Sequence, residues 1–258
     1  MTNPVGDIPR PSALLFAIES RGIFNIARLF AAAPFLAAAP RGAPHPVIVL
    51  PGMGGGDGST MAIRRYLSFL GYQAHGWSRG RNIRPPGADV APVAEQIRSL
   101  HAATGKLVSL VGWSRGGIIA REATRLAPEA VRMVLTLGSP FAAPAATNVF
   151  SRWRLITGAS YLAASAEQLR HLALPLPVPS TSIYSRGDGV AAWQACQEVE
   201  GPQRENVEVR GSHIGLGFNP AAFWVIADRL AQPLETWAPF RPGALAAALI
   251  PRRRRAPA

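Results

Sequence analysis

The chain has 258 residues, 48% hydrophobic and 16% charged, which excludes disordered and collagen-like classes and suffices for one large α/β domain with a substantial core. Its formal net charge of +12 would ordinarily point to nucleic acid or an anionic membrane. The basic residues are, however, almost all arginine (Lys106 is the only lysine), are scattered along the chain and accompany no nucleic-acid motif, so the expectation is a solvated arginine-rich surface and no nucleic-acid partner.

Residues 1–44 read as a helical or irregular extension closing in a Pro/Gly-rich linker. Its segment Gly22–Ala39 is apolar, broken by Arg28 and Pro34, and could pass for a signal-peptide core. Asp7 and Glu19 and the long lead-in ahead of it favour a pair of amphipathic helices, and a cytoplasmic rather than exported protein. No run of about 18 apolar residues is free of charge, so no transmembrane helix is expected. The single cysteine, Cys196, excludes an intrachain disulfide and a Cys-rich metal site.

From residue 45 to 232 strand and helix patterns alternate, the signature of a parallel sheet covered on both faces. Strands are expected at Pro46–Leu50, Tyr72–Trp77, Lys106–Val111, Val131–Leu137, Thr181–Tyr184 and Asn206–Arg210. Helices are expected from Ser59 or Thr60 to Leu70, over Asp89–Thr104, after Ser114 as far as Pro128, and from Asn219-Pro220 to about Leu230. The alternation lapses across 141–178, a candidate cap over a site at the strand ends. Residues 233–258 form a Pro/Ala/Arg-rich tail, in which Ala244–Ile250 followed by Arg252–Arg255 could touch an anionic membrane peripherally or simply fray.

The pentapeptide Gly-Trp-Ser-Arg-Gly occurs at 76–80 and again at 112–116. A nucleophile elbow sets its serine on a strained turn between a core strand and a helix. The second copy follows the apolar run Lys106–Val111 and precedes the helix-forming Gly117–Ala123; the first is followed by Pro85 and Pro86, which forbid a helix. Ser114 is therefore the candidate nucleophile and Ser78 a look-alike.

A serine hydroxyl needs a base. Of five histidines, His101 and His171 sit in helix-like contexts, His45 opens a strand remote from the chemistry, and His75 precedes Ser114 with no carboxylate to orient it. His213 lies just beyond the last strand, at the carboxyl edge of the sheet where open α/β folds keep their sites. The base needs an acid, and Asp188 alone among the aspartates falls in a loop between Ser114 and His213, with Glu198 and Glu200 as fallbacks. A tetrahedral oxyanion needs two N–H donors, expected from Arg115 at its helix N-terminus and from the Pro51–Gly56 loop that holds Met53. The glycines of that loop match neither a P-loop nor a dinucleotide fingerprint, and no cofactor or metal is expected.

Leu110–Gly117, the Pro51-Gly52-Met53 loop, Leu137–Phe141 and the order Ser114–Asp188–His213 resemble bacterial α/β-hydrolase-fold lipases and esterases over about residues 45–232. The resemblance implies a mostly parallel sheet of about six strands with helices on both faces, and Met53 as the oxyanion donor, in the position after a His-Gly pair. Pro51 stands here where that family has histidine. The function it implies is ester hydrolysis through an acyl-enzyme on Ser114, with a small-molecule or lipid-like ester as partner. The alternatives are an acyltransferase or thioesterase on the same triad, and a hydrolase-fold binding protein without catalysis.

Overall fold

The computed structural model describes residues 8–85, 87–148, 166–233, 235–247 and 250. The chain enters through short helical pieces: α1 (Ala13–Ala17), a 3-10 turn over Glu19–Ile23, α2 (Phe24–Ala31) and α3 (Ala33–Ala37). Then come β1 (Pro46–Leu50), α4 (Met61–Phe69), β2 (Gln73–Gly76), α5 (Val90–Thr104), β3 (Val108–Trp113), α6 (Arg115–Leu126) and β4 (Val131–Leu137). Helix α7 (Ala166–Ala173), β5 (Ser180–Tyr184), β6 (Arg204–Glu208), α8 (Pro220–Ala231) and α9 (Ala244–Ala247) complete the order. Residues 149–165 of the expected cap, with Phe150, Trp153 and Tyr161, lie outside the described residues, as do Arg252–Arg255. No helix among the described residues is long and apolar enough to cross a membrane.

All six strands pair in parallel, in the order β2-β1-β3-β4-β5-β6. A parallel sheet buried on both faces needs near-continuous apolar strands, and Pro-Val-Ile-Val-Leu at β1 is buried along its whole length. The two-residue period sends Val47 and Val49 to one face, against α4 and α8, and Ile48 and Leu50 to the other, against α5 and α6. Asn219 starts α8 cleanly: its Oδ1 accepts from Ala221 N at 2.9 Å, and Pro220 takes the first helical position.

The last strand lies two residues earlier than its apolar content predicts. Arg204 and Glu205 belong to β6 because Glu205, although charged, is satisfied inside: Arg229 Nη1 donates to it at 2.8 Å and Thr181 Oγ1 at 3.0 Å. Strand order reverses at β1, which has β2 on one side and β3 on the other. The connections leaving β1 and β3 therefore diverge and open a crevice above the carboxyl ends, where such sheets bind ligands.

A second buried ion pair ties α6 to the segment after β5. Arg121 and Glu198 bond to each other with side chains only 1% exposed, while Arg121 also donates to Leu174 O at 2.8 Å and its guanidinium lies 3.8 Å from the Phe141 ring centroid. Removing one partner strands a buried charge, so Arg121→Ala lowers the unfolding free energy by about 3–5 kcal/mol in urea titrations. The Arg121→Ala/Glu198→Ala double variant loses less than the two singles combined.

Candidate active site

Strand β3 ends at Trp113, and α6 begins at Arg115, leaving Ser114 alone to make the turn at φ +54° and ψ −122°. A non-glycine residue in that region is strained by about 1–3 kcal/mol. Two backbone bonds hold it: Ser114 N donates to Leu137 O at 2.8 Å, and Gly117 N donates to Ser114 O at 3.0 Å. Strand and helix must nearly touch for the turn to close, and a Cβ on Gly112 would come within 2.3 Å of Gly117 Cα.

The other copy of the pentapeptide adopts the same backbone sign, with Ser78 at φ +56°. There Asp57 replaces the helix as the organiser, its carboxylate accepting from Trp77 N at 3.0 Å and Ser78 N at 3.2 Å. No histidine among the described residues bonds to Ser78. The local sequence makes the turn in both places; the surroundings supply a base at one.

At Ser114 that base is His213. Its Nε2 lies 2.9 Å from Ser114 Oγ, and its Nδ1 lies 2.6 Å from Asp188 Oδ2. The other Asp188 oxygen accepts from Val190 N at 2.8 Å and Ala191 N at 2.7 Å, which fixes the carboxylate. Trp113 Nε1 donates to His213 O at 3.2 Å and so anchors the histidine loop to the strand carrying the serine. Burial alone would push the His213 imidazole down; the charge and hydrogen bond of Asp188, with Glu19 behind it, outweigh burial and raise its pKa above the ordinary 6.5.

None of the other four histidines bonds to Ser114. His45 bonds Ser109 Oγ at 2.8 Å, and burial lowers its pKa to about 4. His101 Nδ1 lies 3.0 Å from Lys106 O, His171 Nδ1 lies 3.3 Å from Glu122, and His75 sits on the edge strand β2 with its pKa lowered by burial. Of the fallback acids, Glu198 is committed to Arg121 and Ser180, and Glu200 is exposed.

Met53 sits at the corner of a turn closed by Gly55 N donating to Gly52 O at 3.1 Å. No acceptor among the described residues takes the Met53 N–H. A Cβ on Gly52 would stand 3.3 Å from Ser114 Cβ, so this loop runs directly beside the serine. The Arg115 side chain turns away and is buried, donating to Asn82 O and Pro85 O at 3.3 Å each. Met53 and Arg115 border, with Ser114 and His213, a cavity of about 380 Å³ whose walls include Phe16, Trp113, Ile118 and Ile214.

Sequence reasoning missed Phe16 and Glu19, both from the N-terminal extension. Glu19 is the only acid between residues 8 and 44 and is 4% exposed. Its place amid apolar residues was the available signal, since a carboxylate in such a segment is buried only against donors.

No protein-family model and no curated protein sequence matches the chain. Solved structures do. A Bacillus licheniformis lipase in mature form aligns at TM-score 0.55 and 18% identity, over 76% of this chain and 95% of that one. An α/β-superfamily hydrolase from Oenococcus oeni aligns at 0.54 and 15%, over 76% and 94%. A lipase-esterase related protein from Clostridium acetobutylicum aligns at 0.51 and 16%, over 74% and 96%. With six parallel strands in this order and neighbours of this kind, the chain has the α/β-hydrolase fold.

Proposed function

We propose that the protein is a serine carboxylic-ester hydrolase of esterase or lipase type. The observation that carries this reading is the continuous chain from Ser114 Oγ through His213 to Asp188, at 2.9 and 2.6 Å, with the serine on a strained turn above the sheet. Ser114 Oγ attacks the ester carbonyl as His213 Nε2 takes its proton; Asp188 keeps the other ring nitrogen protonated and stabilises the imidazolium. Negative charge gathers on the carbonyl oxygen, and the N–H groups of Met53 and Arg115 are the donors assigned to it. His213 then protonates the leaving alcohol, and water, activated by the same imidazole, releases the acid from the acyl-enzyme.

The walls of the cavity favour an apolar acyl group. In this reading residues 45–232 are the hydrolase domain, acting in the cytoplasm, and the N-terminal extension works as part of its site, since Phe16 and Glu19 border the cavity. An acyltransferase or thioesterase would share every step up to the acyl-enzyme, so product analysis with competing alcohol, amine and thiol acceptors separates them from a hydrolase.

A fluorophosphonate labels the protein once, at Ser114, and Ser114→Ala abolishes labelling and lowers kcat by roughly 10⁵-fold. Labelling of Ser78 with Ser114 untouched would overturn the assignment. His213→Ala is nearly as damaging, and Asp188→Asn lowers kcat by about 10²- to 10⁴-fold.

The pH dependence follows from the raised His213 pKa. Only the neutral imidazole can accept the serine proton, so kcat/KM falls as pH drops, with a midpoint above 6.5. Asp188→Asn removes the charge that raises that pKa and moves the midpoint to lower pH. A wild-type midpoint below 6.5 in the steady-state profile would contradict this.

A further inference from the structure

The N-terminal extension delivers one carboxylate into the gap between the two loops that carry Asp188 and His213. Glu19 Oε1 accepts from Gly189 N at 2.7 Å and from His213 N at 2.9 Å, and its Oε2 accepts from Ile214 N at 2.9 Å. One side chain thus satisfies donors from the residue after the acid, from the histidine itself and from the residue after the histidine. We infer that Glu19 is a positioning residue of the triad, clamping the Asp188 and His213 loops in the register that lets the imidazole bridge acid and serine. This rests on the reading of Ser114, His213 and Asp188 as the catalytic set.

The surroundings fit a clamp better than incidental packing. The same segment grips both loops again: Arg21 Nη2 donates to Gly187 O at 2.7 Å, and Asn25 Nδ2 donates to Gly215 O at 3.2 Å. It also approaches too closely for any side chain at Gly189, where a Cβ would stand 2.3 Å from Leu15 O. A carboxylate can accept from all three N–H groups at once; an amide offers a single acceptor oxygen and turns an N–H toward another N–H. The clamp also carries charge. Around the His213 ring the charged or titratable groups are Asp188 on the loop after β5 and Glu19 on the 3-10 turn, with Arg21 behind Gly187 and the buried Cys196 thiol under the influence of Asp188. Glu19 adds to Asp188 in favouring the imidazolium, the form His213 takes while the serine proton is in transit.

The test uses the full chain. Glu19→Gln lowers kcat by about tenfold to 10²-fold with KM little changed, and lowers the His213 imidazole pKa, read by NMR without substrate. The acidic limb of kcat/KM moves to lower pH with it. Asn25→Ala cuts a neutral tether of the same segment; it lowers thermal stability and leaves the imidazole pKa where it was. If the two variants behave alike, or if Glu19→Gln keeps wild-type kcat and imidazole pKa, the clamp is overturned. Should Glu19→Gln fail to fold, Glu19→Asp carries the test: the charge stays but sits one methylene short, so kcat falls while the acidic limb holds, and unchanged kcat in the folded variant overturns the inference. Absence of fluorophosphonate labelling in the wild type would instead overturn the hydrolase reading, and the imidazole comparison would stand apart from it.

Discussion

A serine held at φ +54° exists only where its neighbours over-determine it, and the site is organised around that requirement. The Ser114 N–H is taken by Leu137 O at the end of β4, so the turn depends on the register that sets Trp113 beside Leu137. The close approach of Gly112 to Gly117 brings α6 down on its own strand. The sheet supplies the leverage: β3 and β4 lie in its middle, with apolar neighbours on both faces, and cannot yield to relax the turn. Ser78 shows that the turn alone does not bring a histidine to the serine. It reaches nearly the same φ with an aspartate as organiser, two residues past the end of an edge strand, and no histidine among the described residues bonds to it.

The second constraint is electrostatic. The interior holds several carboxylates, and each is matched to donors: Glu198 to Arg121, Glu205 to Arg229, Asp89 to Arg79 and Arg84, and Glu19 to three backbone N–H groups. Two buried histidines then diverge for one reason. His45 has a hydroxyl and a carbonyl for company and positive charge nearby, so burial drives its pKa down; His213 has two carboxylates, which reverse the sign. An arginine-rich chain with few acids places a good share of those acids where they neutralise something internal.

Sequence reading reached the fold because its signals are periodic. The buried strands are short apolar runs, Asn219-Pro220 marks a helix start, and Gly105 closes α5 in a left-handed conformation. The last strand was misplaced because burial there rests on an ion pair, which leaves charged letters in the sequence. The triad candidates were legible from chain order and loop context, and the structure brings Ser114, His213 and Asp188 together. Glu19 was not, because its partners are backbone N–H groups, identical at every residue and so absent from any pattern of letters.

The contact between Glu19 and the histidine loop spans 194 residues, and that separation orders events during synthesis. The chain emerges N-terminus first, so the segment bearing Leu15, Phe16 and Glu19 is made before any of the loops it will grip. Strands β1 to β4, with α5 and α6 covering one face of them, can form while this segment still has nothing to hold. Its docking waits for the loop after the final strand, one of the longest-range closures in the molecule. The Ser114–His213–Asp188 geometry is therefore among the last features a growing chain can acquire, and the face of the sheet that α8 covers is completed only by residues that follow the histidine loop.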